Sequence, residues 1–177
     1  MSVSDIRSTA VVPAGAGDMF LSVTGAKSGA IAGEAQDSAH KSEIEVLGWS
    51  WGMQGKQQLG GSSAATGRAT MRELRVIKRV DKASTALMSA LRGNESIKAK
   101  LTVRKSGKGQ LEYLIIEIDD GRVLSLDIQA GDASNSGAMT EQISFTFNTI
   151  TVSYTPQGPD GQAQGGMTYH DQWMTTS

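Results

Sequence analysis

The chain has 177 residues, enough for one domain with a substantial buried core. Its 17 basic and 18 acidic residues leave no strong net charge that would attract nucleic acid or an anionic membrane. Cysteine is absent, which excludes disulfides, a thiolate nucleophile and cysteine-based metal sites. The 21 glycines favour turns over long helices and therefore indicate a β-rich fold.

Residues 1–16 are predicted to be a flexible N-terminal arm, because they are small and polar and show no hydrophobic periodicity. The chain starts without the basic and apolar regions of a cleaved signal peptide. No apolar stretch approaches the roughly 20 residues of a membrane helix, so we expect no membrane insertion. Residues 17–177 are expected to form a single domain.

The domain opens with a predicted strand in which Met19, Leu21 and Val23 share one face. Residues 25–42 are rich in Gly, Ala and Ser. They are predicted to form a loop with a short strand near Ile31.

Residues 43–53 form the most distinctive segment, because two tryptophans stand on one face of a predicted strand. The apolar phase flips near Gly48, which predicts a bulge or bend. A core position is favoured for Trp49 and Trp51 over a subunit interface or a ligand platform. Ser50 is expected to point to the opposite face of the sheet.

Residues 54–67 are polar and glycine-rich and predict a long loop or extended hairpin, a feature that is usually functional or mobile. Residues 69–80 alternate again and predict a strand. The basic runs 72–79 and 98–108 are interrupted by apolar residues. They are interpreted as solvated strand faces rather than a nucleic-acid patch.

One helix is predicted at about 83–92, where apolar residues recur at helical spacing. Asp81 or Ser84 can cap its start, and Gly93 is expected to end it in the left-handed conformation. We expect this helix to cover one open end of a sheet or barrel.

The remaining chain is predicted to be strands, with apolar and β-branched patterns at 97–103, 111–118, 124–128 and 143–154. The sequence Asp-Asp-Gly at 119–121 is typical of a tight hairpin. Many strands and one helix favour an antiparallel barrel or sandwich.

The sequence contains no pattern of catalytic or metal-binding residues above background. Its two histidines, His40 and His170, lack a second ligand at a metal spacing. Asp37 and His40 could form half of a metal or acid–base site, but a polar loop beside a strand is favoured, and His170 is placed in a polar tail. We therefore expect no enzyme activity, no cofactor and no metal.

Several segments in chain order resemble the haemolysin-coregulated protein (Hcp) family of the type VI secretion system. The strongest is DSAHKSEIEVLGWSWG at residues 37–52. Residues 18–21, 81–84, 102–107 and 112–116 also resemble family segments, as does the ending around residues 154–166. The matches span about 18–170, nearly the whole chain.

The resemblance implies an antiparallel two-sheet β-barrel with a flanking helix. It also implies a structural role: homo-hexameric rings that stack into a tube, a spike trimer at the tip, a surrounding contractile sheath, and effector proteins held in the lumen. The protein would be cytoplasmic before assembly and then secreted by the system. No fused toxin domain is expected.

A ring needs one patch to meet a different patch on its neighbour. The loop at 54–67 is the best candidate for an assembly arm, and the candidate residues within it are Gln57, Gln58, Leu59, Gly60 and Gly61. The lumen is expected to be lined by polar and small residues of one sheet face, with Ser50 as the cargo-facing candidate. The alternatives are a tail-tube protein of a phage-like contractile particle and a β-barrel enzyme or small-ligand binder.

Overall fold

The computed structural model describes residues 18–55, 69–105, 110–130 and 138–173. These residues form strands and one helix, α1, at Ala83–Arg92. The strands are β1 Met19–Gly25, β2 Gly29–Ile31, β3 Ile44–Ser50, β4 Met53–Gln54, β5 Thr70–Met71, β6 Leu74–Arg79, β7 Ile97–Arg104, β8 Glu112–Ala130, β9 Met139–Thr146, β10 Thr149–Tyr154 and β11 Met167–Gln172.

Six strands close into an antiparallel barrel in the order β8, β7, β1, β3, β6, β9, with β9 pairing back onto β8. The inward positions are filled by buried apolar side chains of the barrel's own core, such as Leu21, Ile44, Val76, Leu101 and Phe145. The predicted β-barrel with one flanking helix is therefore confirmed. Because this core fills the barrel, the interior of a single chain is packed rather than hollow.

The predicted hairpin at 119–121 is wrong, because β8 continues through it as a single strand. The first half of β8 pairs with β7 and β10, and the second half pairs with β9. Asp120 takes a φ of 46°, and a Cβ on Gly121 would lie 2.8 Å from the carbonyl oxygen of Thr146. The two residues mark the bend where β8 passes from one sheet to the other.

The bulge predicted near Gly48 is confirmed by a shift in the β3–β6 register between Val46 and Gly48. A short strand near Ile31 is also present, as β2. The polar tail predicted around His170 is wrong, because β11 lies there and pairs along β10. Its side chains alternate too weakly in hydrophobicity for the pattern to predict a strand.

Helix α1 has the predicted bounds and the predicted contact of Asp81 at its start, but its C-terminal end differs from the prediction. The carboxylate of Asp81 accepts a hydrogen bond from the Ala83 N–H at 2.9 Å. Gly93 is not left-handed, since its φ is −84°. Asn94 takes the left-handed conformation instead, with a φ of 47°, a role that asparagine tolerates.

The interpretation of both basic runs as wholly solvated is wrong at Lys78 and Arg104. Lys78 points inward from β6 and has no exposed surface, and Arg104 is 3% exposed. Each side chain is paired with carboxylates, as burial of a charge requires.

Candidate functional site

Ser50 lies on the outer face of the barrel, in a row of side chains that crosses four strands in register. Ser50 pairs with Arg75 of β6, and Arg75 pairs in turn with Ser144 of β9. Ser144 then pairs with Ser125 of β8. Ser50 is exposed, as the alternation of β3 predicts. The four residues form the first row of a surface that we call the polar face, in which Ser144 is buried and the other three are at least partly exposed.

The polar face continues along the same strands with alternating residues. The second row contains Ile77, Gln142 and Asp127. The third row contains Arg79, Thr140 and Gln129. Apart from Ile77, which pairs with Gln142, these side chains are polar or charged.

Two arginines at the polar face, Arg75 and Arg122, are each paired with a nearby acid, whereas the structure gives no ion pair for Arg79 among the described residues. Arg75 donates to Glu73 from Nε at 2.9 Å, and Arg122 at its rim lies 3.1 Å from Asp120. Hydrogen bonds from its own backbone N–H and from Arg75 lower the pKa of Glu73. The surface therefore offers many hydrogen-bonding groups without a strong net field.

The two tryptophans lie on the core side, opposite Ser50. Trp49 pairs with Val76, whose side chain is fully buried, and both tryptophan rings pack against the core cluster. The tryptophans therefore lie on the predicted core side, but as partly buried residues packed against the core rather than as members of it. Neither is fully buried, so each keeps part of its ring surface accessible.

The candidate assembly residues Gln57, Gln58, Leu59, Gly60 and Gly61 lie outside the described residues. The structure does describe the base of their segment. Strands β4 and β5 pair there, with Met53 opposite Met71 and Gln54 opposite Thr70. The two ends of the intervening segment therefore leave the barrel side by side.

The family model for the type VI secretion system effector Hcp matches residues 20–154, well over half of the chain. The chain belongs to the Hcp family. A curated family relative, Protein hcp1 of Pseudomonas aeruginosa, is 37% identical over 152 residues, which covers 84% of this chain and 90% of the relative.

Solved structures of Hcp proteins share the barrel. A type six secretion system protein superposes with a TM-score of 0.75 at 29% identity, covering 86% of this chain and 92% of that one. Hcp1 from Salmonella typhimurium superposes with a TM-score of 0.70 at 28% identity, covering 89% and 95% of the two chains. The polar face and the Trp49–Trp51 segment lie within the region that the Hcp family model matches.

Within this Hcp domain, the structure reveals an ion cluster around the buried side chain of Arg104, which the sequence interpretation missed. Arg104 donates to both oxygens of Asp37, at 3.1 and 2.6 Å, and to Asp18 at 2.8 Å. The hydrogen bond from Arg104 is the main cause that lowers the pKa of Asp37 to about 2. Asp37, considered above as half of an acid–base site, instead ties its loop to β7.

His40 completes the same cluster by stacking on Phe20, with 4.3 Å between the ring centroids. Its Nδ1 lies 3.0 Å from a carboxylate oxygen of Glu43, and its Nε2 lies 3.2 Å from Glu112. The guanidinium of Arg104 lies 5.2 Å from the centroid of Phe20. His40 is 5% exposed, so its role is to hold the loop against the sheet.

Within the described ranges, no group of three or more His, Asp or Glu side chains is arranged to hold a metal ion. The one helix of that part of the chain is too short and too polar to cross a membrane.

Proposed function

We propose that this Hcp-family chain is a tube subunit, which forms hexameric rings that stack and carry effector proteins in their lumen. The observation that carries the proposal is the polar face around Ser50, on a barrel whose own interior is packed. Cargo has no path through a single chain, so a conduit must form between copies. A ring that turns the polar face inward would provide one.

The composition of the polar face suits a conduit for varied cargo. Serine, threonine and glutamine side chains offer hydrogen bonds, and Arg75 and Arg122 are each paired with a carboxylate. Such a surface makes weak contacts with varied proteins, because it has neither a large apolar area nor a strong net charge that would favour one cargo. Ser50 lies in the first row of this surface and is the proposed contact with effectors.

Stacking of rings is assigned to the segment carried by β4 and β5. The described residues on either side of it are held together by the pairing of Met53 with Met71, as the base of an arm would require. A small, polar arm can lie across a neighbouring surface at little steric cost. Together with the tip spike and the sheath, such a tube would leave the cell by way of the secretion system, and no catalysis is assigned to the chain.

Native mass spectrometry of the purified chain tests the ring. The expected species contains six chains at micromolar concentration. A monomer at every concentration would contradict the proposal, since a tube cannot be built from a subunit that does not self-associate.

A further inference from the structure

The bulge in β3 places an apolar side chain at one edge of the polar face. The β3–β6 register shifts between Val46 and Gly48, which makes Leu47 the extra residue of the strand. Two residues of a bulged strand oppose one residue of its partner, so Leu47 and Gly48 lie together opposite Ile77. Leu47 is 38% exposed, whereas Val46 is buried in the core. Because Gly48 has no side chain, Leu47 and the half-buried Ile77 form a shallow apolar spot.

A second bulge, in β8, has the same effect at the other edge of the polar face. The β8–β9 register shifts between Val123 and Ser125, so Leu124 is the extra residue. Leu124 is 54% exposed and stands beside Ser125, which belongs to the same row as Ser50. Val123 is buried, so the core is filled without Leu124.

Folding alone does not account for these two leucines. The inward position before each of them is occupied by a buried valine, and an exposed strand position is equally well filled by threonine. A single exposed leucine is ordinary on a protein surface. Here, however, two separate bulges bring a leucine to the same face, and bulges are common where a strand directs a side chain toward a functional site.

The spacing of the two apolar spots fits one extended segment of a bound protein. Strands β3 and β8 are separated by β6 and β9, so three steps of about 4.8 Å between strands place the spots on the order of 15 Å apart. Side chains four residues apart in an extended segment share one face and lie about 13 Å apart. The hydroxyl groups of Ser50 and Ser125 lie between the spots and can bond to polar groups of such a segment.

The small size of the spots indicates a cargo protein rather than a second copy of this chain. A stable interface between two proteins buries roughly 800 Å² on each partner, far more than two leucine side chains expose. Contacts of this size are weak one at a time. Repeated on several subunits around one cargo molecule, they add up to firm retention.

We propose that Leu47 with Ile77, and Leu124, form two apolar subsites that receive aliphatic side chains of an effector protein. The proposal rests on the proposed function, for which it specifies the chemistry of the cargo. The segment that binds is extended, carries aliphatic side chains four residues apart, and is polar between them.

Titration with a synthetic peptide tests the two subsites. The probe is acetyl-Leu-Ser-Gln-Ser-Leu-amide, and the control peptide has asparagine in place of both leucines. Each is added to the assembled protein with isotope-labelled leucine methyl groups. The methyl signals of Leu47 and Leu124 should shift saturably with the probe. The control peptide should bind at least about tenfold more weakly, equivalent to ~1.4 kcal/mol.

Substitutions at the two leucines connect the binding to these side chains. Leu47→Ser and Leu124→Ser should each weaken binding of the probe about tenfold, because each removes apolar surface from one subsite. Both positions are exposed, so the unfolding midpoint and the assembly should stay as in the wild type. Leu47→Met and Leu124→Met are the matched controls. They keep an apolar side chain of similar volume and should bind within about twofold of the wild type.

Equal binding of the two peptides, or equal binding by the serine and methionine variants, would overturn the subsites. Native mass spectrometry of the same sample separates this failure from failure of the ring. Six chains without peptide binding leave the tube in place and remove the subsites. A monomer at every concentration would contradict the tube and, with it, the placement of the subsites in a lumen.

Discussion

The ammonium group of Lys78 contacts the carboxylate of Glu141 inside the barrel, where neither side chain is exposed to solvent. Lys78 also donates to Asp81 at 2.7 Å and to Ser84 at 3.2 Å. Ser84 in turn donates to Glu141 at 2.8 Å. These bonds fasten the first turn of α1 to strands β6 and β9.

Breaking this buried pair should be costly. We expect Glu141→Gln to lower the free energy of unfolding by about 3–5 kcal/mol, because it leaves the Lys78 charge buried without its main partner. Urea unfolding at neutral pH measures the loss. The double variant Lys78→Met, Glu141→Leu should regain most of it, since an apolar pair needs no charge compensation.

Lys98→Met is the matched control, because it removes a salt bridge with Asp119 that is largely exposed on both sides. Its effect should stay below about 1 kcal/mol. A Glu141→Gln loss no larger than that of the control would show that the buried pair does not anchor the helix.

Lys78 also shows how far the sequence could predict the fold. The alternation of β6 places it on the inward side with Leu74 and Val76, but a basic residue in a basic run favours solvent. Its partner Glu141 lies 63 residues further along the chain, and no local pattern links the two. Strand positions were therefore predictable here, whereas the buried charge pair was not.

Residues 119–121 show a second limit. An Asp-Asp-Gly sequence permits both a hairpin and a bend, since each needs a residue with positive φ or without a Cβ. The distant strands β9 and β10 decide between them by pairing with different halves of β8. The exposed side of Ser50 followed from alternation alone, and the family resemblance supplied the lumen role that remains a proposal.

The ion pair of Asp37 and Arg104 should make stability depend on pH in the acid range. Arg104 lowers the pKa of Asp37 to about 2. The contribution of this ion pair to stability is therefore complete above the pKa of about 4 that an aspartate has in the unfolded chain, and it is lost as the pH falls through about 2. We expect the unfolding free energy of the wild type to fall between about pH 4 and pH 2. Chemical denaturation across this range measures it.

Asp37→Asn should be less stable at neutral pH and should show a shallower decline with acid. Asp127→Asn, which changes an exposed carboxylate of the polar face, should keep the wild-type slope. An Asp37→Asn curve parallel to the wild type would assign the acid sensitivity to other groups.

Deleting residues 56–66 should leave a folded subunit that cannot stack. Because β4 and β5 already bring the ends of the segment together, the shortened connection need not strain the barrel. We expect the thermal midpoint to change by only a few degrees, as for a ΔΔG below about 1 kcal/mol. Stacked tubes should be absent in electron micrographs, and normal tubes from this variant would contradict the stacking role.

Ser50→Gln should reduce effector retention without preventing ring formation. A longer side chain at an exposed position of the polar face would obstruct cargo and leave the core untouched. We expect the recovery of co-expressed effector to fall at least about tenfold, equivalent to ~1.4 kcal/mol. Thr24→Gln, at an exposed position on β1, serves as the control, and equal recovery with both variants would refute the cargo role of Ser50.

The most direct test of the central claim is a cryo-electron microscopy reconstruction of the assembled wild-type protein. The account predicts a ring of six copies in which Ser50 and the other residues of the polar face line the central channel. A protein that forms no ring, or a ring in which Ser50 faces outward, would contradict it.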